Sequence, residues 1–189
     1  MQTRKNDNSE LHCRTRDPHG GGELKRTAVF VAYSGETTSE LLGYPARGQQ
    51  DLLVRAFEEG LQRKVSRIGE RALSQEERIV LAVRALDREI NNGGYDQFFR
   101  NSSRKFAPQI VQSLTRIGCR RTAKITQRAI KALHSSPLTV ARIDAAMRTT
   151  NEERDWEIER CDELFYRTPQ GIPSRLYAFI KANSRRIRL

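Results

Sequence analysis

The residues best suited to chemistry lie between Asp87 and Gln97. Three carboxylates, Asp87, Glu89 and Asp96, are interleaved with the amides Asn91, Asn92 and Gln97. Oxygen donors at such short spacing can converge on a metal ion or a polar substrate. No histidine stands near them in the sequence, and no Ser-His or Cys-His pair is evident. The simpler reading gives the amides to helix capping and Asp96 to the N-cap of a short aromatic turn. On that reading the chain has no catalytic residue, no metal and no cofactor. His12, Cys13 and His19 lack a fourth ligand for a tetrahedral site. The run GGGELKRT lacks the spacing of a phosphate loop.

A second chemistry is electrostatic. Arg120, Arg121, Lys124, Arg128 and Lys131 fall in one stretch with no acid among them. At helical spacing they form a stripe that can track phosphates. Such contacts position a protein on nucleic acid without reading bases. No helix-turn-helix, zinc-finger or aromatic RNA-binding signature accompanies them.

The element that organises these residues is Asn91–Ser103, NNGGYDQFFRNSS. Gly93 and Gly94 can take a left-handed conformation and close a helix. Tyr95, Phe98 and Phe99, at i, i+3 and i+4, share one side of the turn that follows. They are expected to fill the core of a helical domain. Asn101, Ser102 and Ser103 can bond neighbouring backbone and end that turn. The helix running into the corner starts at a capping box, Ser74 with Glu77. Ile79, Ala82, Val83, Leu86 and Ile90 mark its buried face, and Arg78, Arg84, Asp87, Arg88 and Glu89 its wet side. Upstream, Leu53, Phe57 and Leu61 recur every four residues in a helix from about Gln50 to Gly69.

Downstream, a helix starts between Ser103 and Pro108 and stops at Gly118. The next spans Arg120–His134, with Ile125, Ala129, Ala132 and Leu133 inward. Ser136-Pro137 reads as an N-cap with proline at the first helical position, opening a helix with Val140, Ile143 and Met147. Asn151 caps another, with Glu152, Glu153 and Asp155 at the positive end of its dipole and Ile158, Cys161, Leu164 and Phe165 inward. A last helix from about Pro173 to Asn183 buries Leu176, Phe179 and Ile180. The predicted fold is all-α: one compact multi-helix domain over residues 49–184. Residues 1–48 form a largely disordered extension, in which 27–34 is a short strand or an anchor and 35–48 a loop. Residues 185–189 form a basic tail that frays.

Composition agrees with this picture. Of 189 residues, 37% are hydrophobic and 30% charged, and the formal net charge is +11. That charge suits anionic partners and says nothing about fold. Cys13, Cys119 and Cys161 are too few and too scattered for a disulfide framework or a zinc site. They read as reduced thiols in a cytosol. No apolar run reaches the length of a membrane span, and no secretory leader is evident. A cytoplasmic protein is expected, with the Asn101 sequon unglycosylated.

The corner motif, with Arg88-Glu89-Ile90 before it, resembles the signature of the DNA-mimic-protein C-terminal domain family, a domain of unknown function. LTRIGCRRTAKITQRAI (residues 114–130) and CDELFY (161–166) resemble its later segments, so the likeness covers about residues 74–183. The resemblance implies an all-helical, often dimeric fold with no established catalytic chemistry. The family's namesake is an acidic protein that imitates DNA and occupies a DNA-binding protein. This chain departs from it in charge. Residues 119–189 carry 15 basic against 8 acidic residues, and only residues 152–163 concentrate acids, seven against two arginines. Arg104 also stands where the family pattern leads one to expect glycine. The expectation is therefore a non-enzymatic module that binds a protein. The alternative is nonspecific nucleic-acid binding through the 120–131 stripe, and a homodimer can form by setting the acidic run against basic surface on a second copy.

Overall fold

The computed structural model of the chain describes residues 30–189. Among them the regular structure is entirely helical: α1 (Thr38–Leu42), α2 (Gln50–Ile68), α3 (Gln75–Arg100), α4 (Ala107–Arg116), α5 (Arg120–Ala132), α6 (Val140–Arg148), α7 (Glu152–Arg167) and α8 (Ile172–Ala182), with 3-10 turns at Glu70–Ala72 and Ser102–Phe106. Residues 1–29 of the expected extension, with the start of its strand-leaning segment, lie outside the described residues.

α3 is the axis of the fold. It starts at the expected capping box, where Ser74 and Glu77 each bond the other's backbone N–H. It packs against α2, α4, α6, α7 and α8. Encirclement leaves it no wet side over its middle turns. Val80 to Leu86 are all buried, including Arg84, and so is Glu89. Both had been placed on the solvent face by spacing alone. A buried charge is tolerated when it is paired. Arg84 meets Glu58 at 3.2 Å, Asp87 at 3.0 Å and Asp51 at 3.3 Å.

The helix breaks where the glycines predict. Gly94 is left-handed at φ +75°, and helix resumes through Arg100. Tyr95, Phe98 and Phe99 are 0% exposed. Tyr95 stacks on Phe99 with centroids 6.3 Å apart and meets Phe165 of α7 edge-on at 6.4 Å. The Tyr95 hydroxyl lies 2.7 Å from Thr126 Oγ1 of α5. The rings thus join the second half of α3 to α5 and α7.

Three local expectations are corrected. The loop expected over 35–48 contains α1. Thr37 and Glu40 form a second capping box there, and Leu41 is fully buried. Phe30 anchors this region, its N–H donating to Gln49 Oε1 at 2.7 Å and its ring meeting Tyr44. α6 is capped by Thr139, whose side chain accepts from Arg142 N, rather than by Ser136. Val140 is consequently 41% exposed. Last, residues 185–189 are seated on the domain and are not a free tail: Ile187 is fully buried.

Phe98→Ala is expected to cost about 3–5 kcal/mol, since the ring is fully enclosed and its removal leaves a cavity. Chemical denaturation checks this; an unchanged midpoint would refute the packing role.

Candidate interaction surface

The three carboxylates of the corner diverge into separate surroundings instead of converging. Glu89 turns inward and accepts from Ser103 Oγ at 2.7 Å, Asn101 Nδ2 at 2.7 Å and Gln97 Nε2 at 2.8 Å, with Arg88 at 3.5 Å. Asn101 and Ser103 therefore do not end the turn by bonding local backbone. Their side chains reach back to a carboxylate on the preceding half of α3. Burial favours the neutral Glu89 carboxyl, but the hydrogen bonds from Gln97, Ser103 and Asn101, aided by the Arg88 charge, hold it below the usual carboxylate range.

Asp87 faces α2. It meets Arg84 and accepts from Asn91, whose amide also caps the Asp87 carbonyl at 2.7 Å. Burial pushes the Asp87 carboxyl up, against the pull of Arg84. Asp51, Glu58, Glu59 and Asp87, around the polar cleft between α2 and α3, each have an arginine partner. Asn92 sits exposed on the rim of that cleft. Asp96 points outward to Arg100. The N-cap role expected of Asp96 belongs to Asp162 of α7, which accepts from Tyr95 N at 2.7 Å. A Cβ at Gly94 would collide with that same carboxylate. Burial pushes the Asp162 carboxyl up, and the Tyr95 N–H opposes it. Among the described residues, no three His, Cys, Asp or Glu side chains gather where they can share a metal ion.

The basic stripe and the acidic run stand on α5 and α7, which pack side by side. α5 turns Thr122, Ala123, Thr126, Ala129 and Ala132 inward. Arg120, Arg121, Lys124 and Lys131 stand exposed. Arg128 leaves the stripe: it grips Glu157 of α7 in a two-pronged pair, Nη2 to Oε2 at 2.8 Å. The guanidinium holds Glu157 below the usual carboxylate range.

α7 is capped by Asn151, whose side chain accepts from Arg154 N at 2.9 Å. Ile158 and Cys161 are buried on its inner face, and burial pushes the Cys161 thiol up to about 11. Arg154, one of the two arginines within the acidic run, is only 3% exposed. It donates to the carbonyls of Ala146 and Thr149 as well as to Asp155. It thus closes the C-terminal end of α6, where a cation is favoured. Spacing gave no sign of this, because the partners are backbone oxygens.

Glu152, Trp156, Glu159, Glu163 and Tyr166 of α7 are all exposed, although the Tyr166 hydroxyl turns back to donate to Ile90 O of α3 at 2.5 Å. Their separations are four, three, four and three residues, the spacing of a straight stripe along one helix face. Trp156 is 56% and Tyr166 54% exposed, and the Arg160 guanidinium lies 4.7 Å from the Trp156 ring centroid. Glu152 and Glu159 have no ion-pair partner among the described residues. Composition alone had shown an acidic run here, and only burial separates its outward members from Glu157 and Arg154.

A family model described as DMP19-like protein matches residues 71–183. No curated protein and no solved structure matches the chain. The matched segment runs from the start of α3 to the end of α8, and it contains the Glu89 cluster, the aromatic rings and both charged helices.

Folding lowers the proton affinity of Glu89. Its stabilising contribution is therefore complete above the unfolded value of about 4.5 and fades as pH falls through the lower folded value. Glu89→Gln is expected to lose roughly 2 kcal/mol at pH 7 by removing charge-assisted hydrogen bonds. The gap to the parent should narrow below pH 4.5, as urea unfolding across pH 3–7 will show. A gap independent of pH would refute the ionised cluster.

Proposed function

The chain belongs to the DMP19-like protein family, and from that membership we propose that it is a non-enzymatic binding module whose partner is a protein. The observation that carries this reading is the exposed α7 stripe. Glu152, Trp156, Glu159, Glu163 and Tyr166 span roughly 20 Å of helix. A second helix can lie along such a line. The fitting partner presents lysines or arginines at matching spacing, because the stripe offers carboxylates and two aromatic faces. A DNA-binding protein, the partner class that the family name suggests, presents basic surface of this kind. A second copy also qualifies, through the exposed cations of its own α5.

Two observations support the non-enzymatic part. The carboxylates of the corner are engaged by structural partners. The thiols of Cys119 and Cys161 are buried, and burial pushes both pKa values up, away from the thiolate that nucleophilic chemistry needs.

A second reading, nonspecific nucleic-acid binding, has its own support. Arg120, Arg121, Lys124 and Lys131 are exposed without an acidic partner among the described residues. The pairing of Arg128 with Glu157 shortens that stripe and sets acidic surface beside it.

Photo-crosslinking inside the source cells separates the two. A crosslinking side chain placed at Glu159 is expected to capture protein, and Trp156→Ala with Glu152→Lys should lower the yield at least tenfold. The same side chain at Lys124 is expected to capture no nucleic acid. Capture of nucleic acid from Lys124 that vanishes with Arg121→Glu and Lys131→Glu, and none from Glu159, would overturn the protein reading in favour of the second.

A further inference from the structure

The segment 184–189 is held as a bound peptide is held. After α8 the chain turns at Asn183, with Arg186 N and Ile187 N both donating to Asn183 O. It then runs across α1, α2 and the start of α3. Thr38 Oγ1 donates to Ile187 O at 2.7 Å, Ser74 Oγ to Arg186 O at 2.8 Å and Lys64 Nζ to Arg188 O at 2.8 Å. Glu77 Oε1 accepts from Arg188 N at 2.8 Å. Ile187 is fully buried in the hydrophobic core, while Arg185, Arg186 and Arg188 remain exposed. Leu189 lies over Gly60, where an added Cβ would stand 3.0 Å from its methyl groups.

We propose that this surface is a peptide-binding groove and that the chain's own 184–189 segment is one exchangeable occupant. The ligand it takes is an extended peptide with a branched aliphatic residue at the Ile187 position. Four of the groove's contacts are to backbone groups, which any peptide supplies. The further contacts to the segment's side chains are those around buried Ile187, the packing of Leu189 and an ion pair from Arg186, itself 71% exposed, to Glu76. The groups that do the holding stand on α1, α2 and the α3 capping box. Glu77 and Ser74 also bond each other's backbone N–H in the capping box, a contact in which the segment takes no part. Backbone capture with a pocket for one side chain is a general mode of peptide recognition. Covalent linkage gives the resident segment a high effective concentration, so a competing peptide gains access chiefly when that segment is weakened.

The full chain carrying Ile187→Ser provides the test, with a fluorescent SRRIRL peptide as the probe and anisotropy as the readout. Saturable binding at least tenfold tighter than to the unaltered chain is expected, and loss of that binding when the probe is SRRSRL. Thr38→Val added to the Ile187→Ser chain should weaken it further. Equal binding of the two probes would show charge attraction alone and overturn the proposal, as would no binding to a variant whose thermal melt remains cooperative. Hydrogen exchange of the unaltered chain gives a second reading, independent of how that variant folds. The Arg188 amide should exchange by local opening, faster than the amides of Val80 to Leu86. Exchange of Arg188 only at the rate of global unfolding would refute an exchangeable segment.

Discussion

The packing of this domain turns on one backbone break. At Gly94 the chain takes a left-handed conformation that bends α3 and frees the Tyr95 N–H. A free N–H at a restarted helix must find an acceptor or forfeit a hydrogen bond. Asp162, 67 residues further on, supplies it. That contact fixes α7 against the break, and α7 brings Phe165 onto the Tyr95 ring. Any side chain at position 94 would meet both a positive φ and the Asp162 carboxylate. The glycine is thus required twice, by its own conformation and by the close approach of its partner.

Across the same break, Glu89 ties the two halves of α3 together. Three of its donors, Gln97, Asn101 and Ser103, lie beyond the glycines. A buried carboxylate is costly unless it is well bonded, and once bonded it holds its donors in one arrangement. The rings provide the apolar part of the joint and Glu89 the polar part. This explains why one short segment carries amides, serines, glycines and aromatics together. Their shared task is to restart a helix at a new angle inside the core.

Charge is managed differently inside and outside. Within the fold, Arg84 and Arg154 are satisfied by several partners each, as their burial demands. On the surface, the basic side of α5 and the acidic side of α7 meet at Arg128 and Glu157. That pair takes Arg128 out of the basic stripe and leaves the outward residues of α7 untouched. The chain's positive balance therefore does not describe its surface. A distinctly acidic, aromatic line survives on a protein of net charge +11.

The all-helical architecture was legible in the sequence, because helix periodicity, capping boxes and paired glycines act over a few residues. So were the break at Gly93-Gly94, the burial of Tyr95, Phe98 and Phe99, and the cap at Asn151. α1 was read as loop: Thr37 and Glu40 stand at capping-box spacing, but the Pro45 and glycine content around them masked it. Other features depended on residues distant in the chain. Glu89 and Arg84 belong to a solvent face by spacing, and only the helices packed around α3 turn them into buried hubs. Asp162 replaces Asp96 as the cap because α7 returns to the break. The segment after Asn183 reads as a basic tail, yet Thr38, Lys64, Ser74 and Glu77 together make a place for it. Local sequence determines where helices start, stop and turn their apolar faces, since those effects reside in neighbouring backbone groups. Which polar side chains are buried, and with whom they pair, is decided by tertiary structure, since only packing removes their water and supplies a distant partner.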